Sequence, residues 1–452
     1  MVSNPPRRAT AARFTAAWLA GCALLLAIGG CSASGGNDAK TGGANGGAAP
    51  AVLTVPTDAK TIADAADRIA PGGLILIEPG VYTETVSIDT EDVTLRGLDR
   101  NAVIIDGEGL RPEGVVVTAD GVRVENLTVR SHTFNGVLVT GMHDGDGAQA
   151  HGLDGYDTLD PEKFPPIERF SISHVTSYNN GLYGIYAFDS NHGSITDSYA
   201  SGSADSGYYV GQCENCDILV RANTAENNAV GFENANASDS VYIVANRWSN
   251  NRVGMTLLSN YQEAFLPQKA NTVVGNVIAD NTSEQSPEQA DGAFGIGVGI
   301  SGGQSNQFSR NTVAANPYAG ILVSGSEDIS ATGNTFSGTV FADNGADLAN
   351  ISQPRAAASG NCLTAGDSAS VVPSTFAVAD CGNAQQDAAA DGTLTKPVSP
   401  KGMSFLKVPA PPAQPQLPGD LHKAPAPLPA TVGAPDDLET IPAPARDWRP
   451  SS

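Results

Sequence analysis

The sequence predicts an all-β solenoid, a parallel β-helix, and three regularities carry that prediction. The first and third residues after each repeated Gly are mostly apolar, a period of two that is typical of strands with one buried face. An Asn or Asp follows about 14 residues into most units. The repeat itself opens at Gly184, Gly207, Gly231, Gly254, Gly297 and Gly320, with spacings of 23, 24, 23, 43 and 23 residues.

Stacked units of this kind place each strand roughly 4.8 Å from its equivalent in the next coil, so that backbone groups pair between coils. Asn suits the turns because its amide both donates and accepts along the stack, and because it tolerates a left-handed backbone. A βαβ arrangement is excluded, since no helix of about a dozen residues fits between strands this close together.

The two ends of the chain differ in composition from its middle. Residues 1–31 resemble a bacterial lipoprotein export signal, with arginines before an apolar stretch at 16–28 and Cys31 as the lipidated residue. Cys22 stands in an alternative lipidation motif. Residues 32–51 are rich in Gly and Ala and predict a flexible tether. Residues 386–452, rich in Pro and Ala, predict a disordered tail, which leaves 52–385 as the β-helix domain.

A short amphipathic segment precedes the first strands of this domain. Thr57 and Asp58 precede a capped helical pattern that runs from Thr61, in which Ile62, Ala65, Ala66 and Ile69 share one face before Pro71 and two glycines end it. A solenoid must cover its exposed edge strands, so we expect this helix to cap the N-terminal end.

The strands that follow carry a family resemblance. Gly80-Val81-Tyr82 and Val93-Thr94-Leu95-Arg96-Gly97 resemble the opening coils of the pectin-lyase-like superfamily, and the resemblance covers roughly residues 52–345. It implies a right-handed β-helix with three sheets per turn and, since many members act on polysaccharides, an exported protein that handles them. The active-site signatures of pectin methylesterases, polygalacturonases and mannuronan epimerases are not present in this sequence.

The charge of the chain narrows its partners. The formal charge of −23 becomes −26 without the three arginines of residues 1–30. Nucleic acid and anionic membrane surfaces are therefore poor partners, and we expect membrane contact only through the N-terminal lipid. The predicted location is the outer face of the cell envelope, and the predicted state is a monomer.

Four cysteines remain beyond the export signal, an even number that in an exported protein favours disulfides. Cys213 and Cys216 are predicted to bridge a corner of the solenoid, and Cys362 and Cys381 to pin its C-terminal segment. A metal or redox site at Cys213 and Cys216 is the weaker alternative, because no second Cys or His pair accompanies them.

The repeat register predicts where a site would lie. Residues two and five after each Gly should point outward, which stacks Tyr186, Tyr209 and Glu233 in one column. Gln212 and Asn236 fall in the second column. Insertions at 141–167, 261–269 and 282–293 interrupt the repeat beside these columns, and loops beside a strip of side chains form the walls of a groove. Tyr186, Tyr209, Gln212 and Asn236 are the predicted substrate-binding residues.

Candidate catalytic groups are carboxylates and histidines near these columns, because sugar chemistry uses such groups as acids and bases. They are His143, His151, Asp189, His192 and Glu233. The first insertion also holds Asp144, Asp146 and Asp154, whose oxygen atoms could bind Ca²⁺, the only cofactor the sequence suggests. A solvated loop is the plain alternative for this segment.

Two functions remain open on this reading. The first is a cell-surface lipoprotein that binds extracellular polysaccharide and, if it is an enzyme, acts as a lyase, hydrolase or epimerase. The second is a non-catalytic envelope scaffold or adhesin.

Overall fold

A computed structural model describes residues 48–144, 147–149, 158–364, 369–373, 381 and 394–450. These residues form an all-β, right-handed parallel β-helix in which most coils contribute three short strands, one to each of three faces. The predicted fold is confirmed. The strands that build the faces pair in parallel with their equivalents one coil away, as the spacing of the repeat requires.

The first sheet comprises Val52–Val55, Leu74–Ile77, Thr94–Gly97, the start of Arg123–Arg130, the start of Ser171–Tyr178, Ser194–Thr196, Ile218–Arg221, Val241–Val244, Thr272–Val274, Gln307–Ser309, Thr335–Ser337 and Cys362–Leu363. The second sheet comprises Gly80–Tyr82, Val103–Asp106, the ends of Arg123–Arg130 and Ser171–Tyr178, Tyr199–Ser201, Thr224–Glu226, Arg247–Ser249, Val277–Ala279, Thr312–Ala314 and Val340–Ala342. Because two long strands run through both, these faces form one hydrogen-bonded sheet.

The third sheet comprises Val86–Ile88, Val115–Val117, Val137–Thr140, Ile185–Phe188, Ser206–Cys213, Val230–Ala237, Val253–Leu258, Ile296–Ser301, Ala319–Ser324, Leu348–Asn350 and Val371–Val372. Two small pairs lie outside the three faces, His143–Asp144 with Gly147–Ala148 and Ile167–Glu168 with Ser190–Asn191. Single 3₁₀ turns occur at Pro354–Ala356 and Phe405–Lys407.

The capping helix spans Ile62–Ala66, which is shorter than the amphipathic pattern suggests. Thr61 is its N-cap, and the Thr61 hydroxyl accepts a hydrogen bond of 3.0 Å from the Asp64 amide. The Glu84 carboxylate accepts two further amides at the helix start, from Ile62 at 3.0 Å and Ala63 at 2.9 Å. These bonds satisfy donors that a helix N-terminus leaves unpaired. Ile62 is buried in the core of the solenoid, so the helix closes its N-terminal end as predicted.

The interior is a single apolar core filled by the residues that the period of two places inward. Those of the third sheet are Ile185, Ala187, Tyr208, Val210, Phe232, Met255, Leu257, Val298, Ile300, Ile321 and Val323.

Buried asparagines form ladders along the corners of the solenoid. In one ladder, between the second and third sheets, the Nδ2 of each Asn donates to the Oδ1 of the Asn one coil further on, at 3.0 Å from Asn228 to Asn251 and 3.4 Å from Asn251 to Asn281. Asn281, Asn316 and Asn344 continue it. A second ladder joins Asn223, Asn246, Asn276 and Asn311, and a third joins Asn306, Asn334 and Asn361.

The left-handed backbone at these corners belongs to the residue before the ladder Asn. In the first ladder that residue is also an Asn at Asn227 and Asn250, as expected, whereas in the second ladder it is not. Ala222 and Ala245 have φ of 57° and 51° and precede Asn223 and Asn246. The ladder Asn itself must direct its amide along the solenoid axis, and the preceding residue turns the chain.

The C-terminal segment, which was predicted to be disordered, is docked on the solenoid over residues 394–450. Residues 394–450 lie in an extended conformation on the solenoid, and we call this segment the strap. A polyproline-type backbone makes no hydrogen bonds of its own, so its carbonyls are free to accept from outside. The solenoid supplies donors to them from its arginines, which composition alone does not indicate. Residues 386–393 of the predicted tail lie outside the described residues.

The strap begins beside the third sheet, where Leu394 packs, and then crosses the outer faces of the first two sheets in several passes. The Arg252 guanidinium donates to the Pro400 carbonyl at 2.7 Å, Arg100 to Pro415 at 2.9 Å, and Arg123 to Ala426 at 2.6 Å. Further arginine contacts reach the carbonyls of Leu421 and Lys423 from Arg96, of Leu438 and Ile441 from Arg310, and of Arg446 and Trp448 from Arg247.

No helix within the described residues is long and apolar enough to cross a membrane. The predicted export signal at 1–31, with Cys31, and the tether up to residue 47 lie outside the part of the chain that the structure describes.

Candidate functional site

The outward face of the third sheet carries one column of side chains in strict register. Neighbouring coils pair Tyr186 with Tyr209, Tyr209 with Glu233, and Glu233 with Thr256. The column continues through Gly299 and Leu322. This is the column that the repeat predicts two residues after each Gly.

The N-terminal half of this column is covered. Tyr186 and Tyr209 are each 1% exposed, and their ring centroids lie 4.7 Å apart in an edge-to-face contact. Leu159 and Phe164 of the first insertion pack over them in a separate outer apolar cluster. Neither tyrosine therefore offers a face to a sugar, which corrects their predicted role in substrate binding.

Where this cover ends, a groove of about 630 Å³ opens over the third sheet. Its floor is formed by outward residues of the middle and C-terminal coils, among them Val253, Thr256 and Leu322. One wall comes from Asn260 and from Glu263 of the second insertion, and Gln289, Ala290, Asp291 and Ala293 of the third insertion also line the groove. Tyr183, Tyr318 and Lys396 also line this groove, which we call the third-sheet groove.

Three carboxyl groups meet at one end of the third-sheet groove. The Ser206 hydroxyl lies 2.6 Å from Glu233 Oε2 and 3.3 Å from Asp205 Oδ1, so it bridges the two side chains. The Tyr209 hydroxyl donates to Glu263 Oε2 at 3.3 Å. Tyr209 therefore positions an acid of the site instead of contacting a ligand.

The environment favours the protonated form of all three acids. Burial raises the pKa of Glu263 to about 7 and that of Asp205 to about 6, although hydrogen bonds from Tyr209 and Ser206 respectively oppose the shift. The pKa of Glu233 is raised well above its usual value by burial and by the nearby charges of Asp205 and Glu263. Acids held close together in this way share protons near neutral pH, as pairs of catalytic carboxyls do.

Gln212 and Asn236 hold the second insertion in place. Gln212 Oε1 accepts from the Ala264 amide at 2.9 Å. Asn236 Nδ2 donates to the carbonyls of Asn260 and Ala264, both at 2.8 Å, while its Oδ1 accepts from the Asn260 amide. Both residues have a left-handed backbone at the strand end, so they turn away from the outward column. The prediction that Gln212 and Asn236 bind substrate is therefore wrong. These residues instead position the wall that carries Glu263.

Of the remaining catalytic candidates, the three that the structure describes, Asp189, His192 and His143, do not line the third-sheet groove. Asp189 is buried under the first insertion, and burial raises its pKa to about 7. His192 Nδ1 lies 2.8 Å from Asp217 Oδ2, and the same carboxylate accepts the Val432 and Gly433 amides of the strap. His143 is exposed in its short strand, and His151 lies outside the described residues.

The calcium prediction stays open. Asp144 Oδ1 accepts from Gln149 Nε2 at 3.1 Å, and Asp146 and Asp154 lie outside the described residues. Within the described ranges, no three His, Cys, Asp or Glu side chains are grouped as metal ligands.

Both predicted disulfides are confirmed. Cys213 is bonded to Cys216, and Cys362 to Cys381.

Sequence reasoning identified Glu233 but missed Asp205, Glu263 and Tyr183. Asp205 stands two residues before a repeat Gly, where the pattern gives no sign of exposure. Glu263 was within a predicted wall, yet only the fold of that insertion directs its carboxyl back to the sheet. A signal was available for Glu263, since it is the only acid in residues 261–269.

Together these features define a right-handed parallel β-helix protein with an acidic groove on its third sheet. A family model described as right-handed beta helix region matches residues 163–336. No curated protein matches the chain.

Several solved structures are similar to this chain. They include the Dettilon tailspike protein gp208, with 14% identity and a TM-score of 0.48 over 70% of this chain and 61% of that one. The A-module of mannuronan C-5 epimerase AlgE4 from Azotobacter vinelandii has 13% identity and a TM-score of 0.40, with coverages of 65% and 85%. Pectate lyase Pel9A has 16% identity and a TM-score of 0.41, with coverages of 81% and 89%. Similarities this distant carry no information on substrate or reaction.

Proposed function

We propose that this chain binds an extracellular polysaccharide in the third-sheet groove and cleaves it by acid–base chemistry. The observation that carries the proposal is the meeting of Asp205, Glu233 and Glu263 at the end of a groove of about 630 Å³. Sites of roughly 300–1,000 Å³ with an apolar floor and a few convergent polar groups are typical of small-molecule binding.

The groove supplies the contacts that a sugar chain needs. Tyr318 offers an aromatic ring at its side, and Leu322 an apolar floor. Thr256, Asn260 and Ser301 add hydroxyl and amide groups that can bond sugar hydroxyls. The groove runs across several coils, so its floor repeats from strand to strand, as suits a polymer.

Hydrolysis is the reaction that these acids support best. A glycosidase needs one carboxylic acid to protonate the leaving oxygen and one carboxylate to assist attack at the sugar carbon. Glu263, with its pKa near 7, exists in both forms at neutral pH and suits the acid role. Asp205, whose pKa is lower at about 6, suits the carboxylate role. Ser206 ties Asp205 to Glu233, which lets a proton pass between the two.

Charge narrows the polysaccharide class. Asp205, Glu233, Glu263 and Asp291 line the groove against a single lysine, Lys396. An anionic glycan would meet repulsion from any ionised member of this set, whereas neutral or amino sugars would not. We therefore expect neutral or cationic glycans to bind more tightly than uronates.

A glycan array on the full protein tests binding. Thr256→Trp places an indole on the groove floor and should abolish binding of long glycans in the groove, because the ring occupies the space of a sugar. Thr335→Trp, at an outward threonine on the first sheet that lines neither cavity, is the matched control and should leave glycan binding unchanged. If no glycan binds, or if Thr256→Trp binds as well as the native chain, the envelope scaffold becomes the better function.

Release of reducing ends from a bound glycan tests catalysis. Glu263→Gln should lower the rate by at least about 100-fold, in keeping with typical losses for a general acid, while binding persists. Unchanged turnover in Glu263→Gln and in Asp205→Asn would reduce the function to binding.

We also propose export and anchoring at the outer face of the envelope through lipid on Cys31, on the basis of residues 1–31. Cys31→Ser should move the protein from the membrane fraction to the soluble fraction, and Cys22→Ser should not. The reverse pattern would assign the lipid to Cys22.

A further inference from the structure

A second cavity, of about 660 Å³, lies between the solenoid and the strap on the faces of the first two sheets. Its floor includes His174, Asp197, Tyr199 and Thr224. Residues 412–415 of one strap pass and residues 449–450 of another enclose it from outside. We call it the strap cavity, and it is distinct from the third-sheet groove because no lining residue is common to the two.

The two arginines that line the strap cavity, Arg100 and Arg449, already have hydrogen-bond acceptors within the protein. Arg100 is 1% exposed, and its guanidinium donates to Thr176 Oγ1, to the Val175, Asp197 and Pro415 carbonyls. Arg449 donates to Glu226 Oε1 at 2.9 Å, while Glu226 Oε2 accepts from the Tyr199 hydroxyl at 3.2 Å. The lining thus holds two arginines, Arg100 and Arg449, and two acids, Asp197 and Glu226, so its formal charges balance and do not favour an ionic ligand.

Unlike these arginines, His174 has a ring nitrogen without a hydrogen-bond partner. Its Nδ1 is buried and has no hydrogen-bond partner among the described residues. Burial lowers the pKa of His174, which keeps the ring neutral near pH 7 with one donor and one acceptor nitrogen. A buried polar atom without a partner is unfavourable, and a ligand hydroxyl would supply what this nitrogen lacks.

The other surfaces of the cavity suit the same kind of ligand. Pro412, Pro415 and Tyr199 present apolar rings, which pack against the C–H faces of sugar rings. Thr224 contributes a hydroxyl and Asp197 a carboxylate that can accept from ligand hydroxyls. The volume lies within the range of roughly 300–1,000 Å³ that is usual for sites of small ligands.

We propose that the strap cavity is a second binding site, which takes a short, uncharged, hydroxyl-rich ligand of the oligosaccharide class. A ligand there touches the solenoid floor and both strap passes at once. Because it contacts the docked strap, binding must stabilise docking, and docking must in turn raise affinity for the ligand. This site is independent of the proposed hydrolysis in the third-sheet groove.

The test uses the full-length protein and three neutral probes, maltotriose, cellotriose and the trimer of N-acetylglucosamine, with trigalacturonate as the charged comparison. Calorimetry measures binding, and trypsin cleavage after Lys407 and Lys423, on either side of 412–415, measures strap docking. We expect at least one neutral trimer to bind and to slow cleavage threefold or more, and trigalacturonate to do neither.

Variants of the two sites separate this proposal from the groove. Thr256→Trp blocks the third-sheet groove and should leave protection of the strap intact. Thr224→Trp, at the floor of the strap cavity, should abolish protection while binding in the groove persists. His174→Phe keeps the ring volume, removes the unpartnered nitrogen, and should weaken binding at least tenfold.

The proposal is overturned if no neutral trimer binds to Thr256→Trp. It is overturned equally if protection survives unchanged in both Thr224→Trp and His174→Phe. If Thr256→Trp loses binding in the groove while the ligand still protects the strap from trypsin, the result supports two independent sites.

Discussion

The repeat glycines exist because the next coil fills the space that a side chain would need. A Cβ at Gly231 would lie 2.4 Å from the Gly254 carbonyl oxygen and 2.8 Å from Asn251 Nδ2. The backbone there is not left-handed, so the requirement is close approach and not conformational freedom. From Gly207 onward, each repeat Gly thus lies against an Asn of the first ladder.

Two glycines of one strand make this argument testable. A Cβ at Gly297 would lie 2.4 Å from the Gly320 carbonyl oxygen, whereas at Gly299 its nearest neighbour would be 3.7 Å away. Gly297→Ala should lower the free energy of unfolding by about 1–3 kcal/mol, as overpacking does. Gly299→Ala should range from no change to a gain of about 1 kcal/mol. Urea unfolding measures both, and equal effects would contradict the close-approach explanation.

The acids of the third-sheet groove predict a pH dependence of stability. The pKa of Glu263 is about 7 in the fold, against roughly 4.3 for an unperturbed Glu. Between these values the folded state binds more protons than the unfolded state, so this residue makes stability fall as pH rises. Glu263→Gln should therefore stabilise the protein more at pH 7.5 than at pH 4.5, relative to the native chain.

Urea midpoints at the two pH values measure this difference. Glu214→Gln, at an exposed position, is the control and should shift the two midpoints alike. A Glu263→Gln effect that is the same at both pH values would show that Glu263 ionises as an ordinary surface carboxyl.

Among structural elements, the strap departs most from what its composition suggests. A segment rich in Pro and Ala is predicted to be extended, because it cannot bury an apolar core. The strap is extended, as its composition predicts, but it is docked on the solenoid. Docking depends on carbonyl groups, which every residue has, and on arginines spread from Arg96 to Arg310 of the solenoid. No local pattern in the strap itself could therefore reveal that it docks.

Loss of one donor should loosen the strap locally. The Arg123 guanidinium bonds the Ala426 carbonyl at 2.6 Å, three residues beyond Lys423. Arg123→Met should raise the rate of trypsin cleavage after Lys423 by about tenfold, since a bond to a charged donor contributes roughly 1.5–3 kcal/mol. Arg355→Met is the control, because the Arg355 side chain is exposed and pairs with Glu327 on the solenoid. Equal cleavage in the two variants would mean that the strap is not held at this point.

In the whole molecule, the strap contacts coils that are too far apart along the solenoid to contact one another. The stability of a solenoid is roughly a sum of coils and of contacts between neighbours, so distant coils unfold nearly independently. The strap contacts Arg96 near the N-terminal end and Arg310 near the other, which adds a long-range connection.

A chain ending at residue 393 should therefore unfold less cooperatively. We expect its free energy of unfolding to fall by about 2–4 kcal/mol, because the lost charge-assisted bonds are partly offset by the entropy that the free strap regains. Hydrogen exchange should show the terminal coils opening at lower denaturant than the middle ones. A single unchanged transition would mean that the strap rests on an already cooperative solenoid.

At this scale the sequence predicted the β-helix, its capping helix and both disulfides, because each depends on local periodicity or on a small number of cysteines. It placed Glu233 correctly in the outward column but could not place Glu263 or the strap. Both are positioned by segments that fold back over distant coils, and such contacts leave no period in the sequence.

The spacing of the arginine donors has a consequence for how this protein can change in evolution. Solenoids lengthen readily when one coil is duplicated, since the new coil fits its neighbours. Here a duplicated coil between Arg123 and Arg310 would displace later donors by roughly 4.8 Å from their carbonyls on the strap. The length of the strap thus limits the number of coils, and relatives that keep the strap should have the same number of coils beneath it.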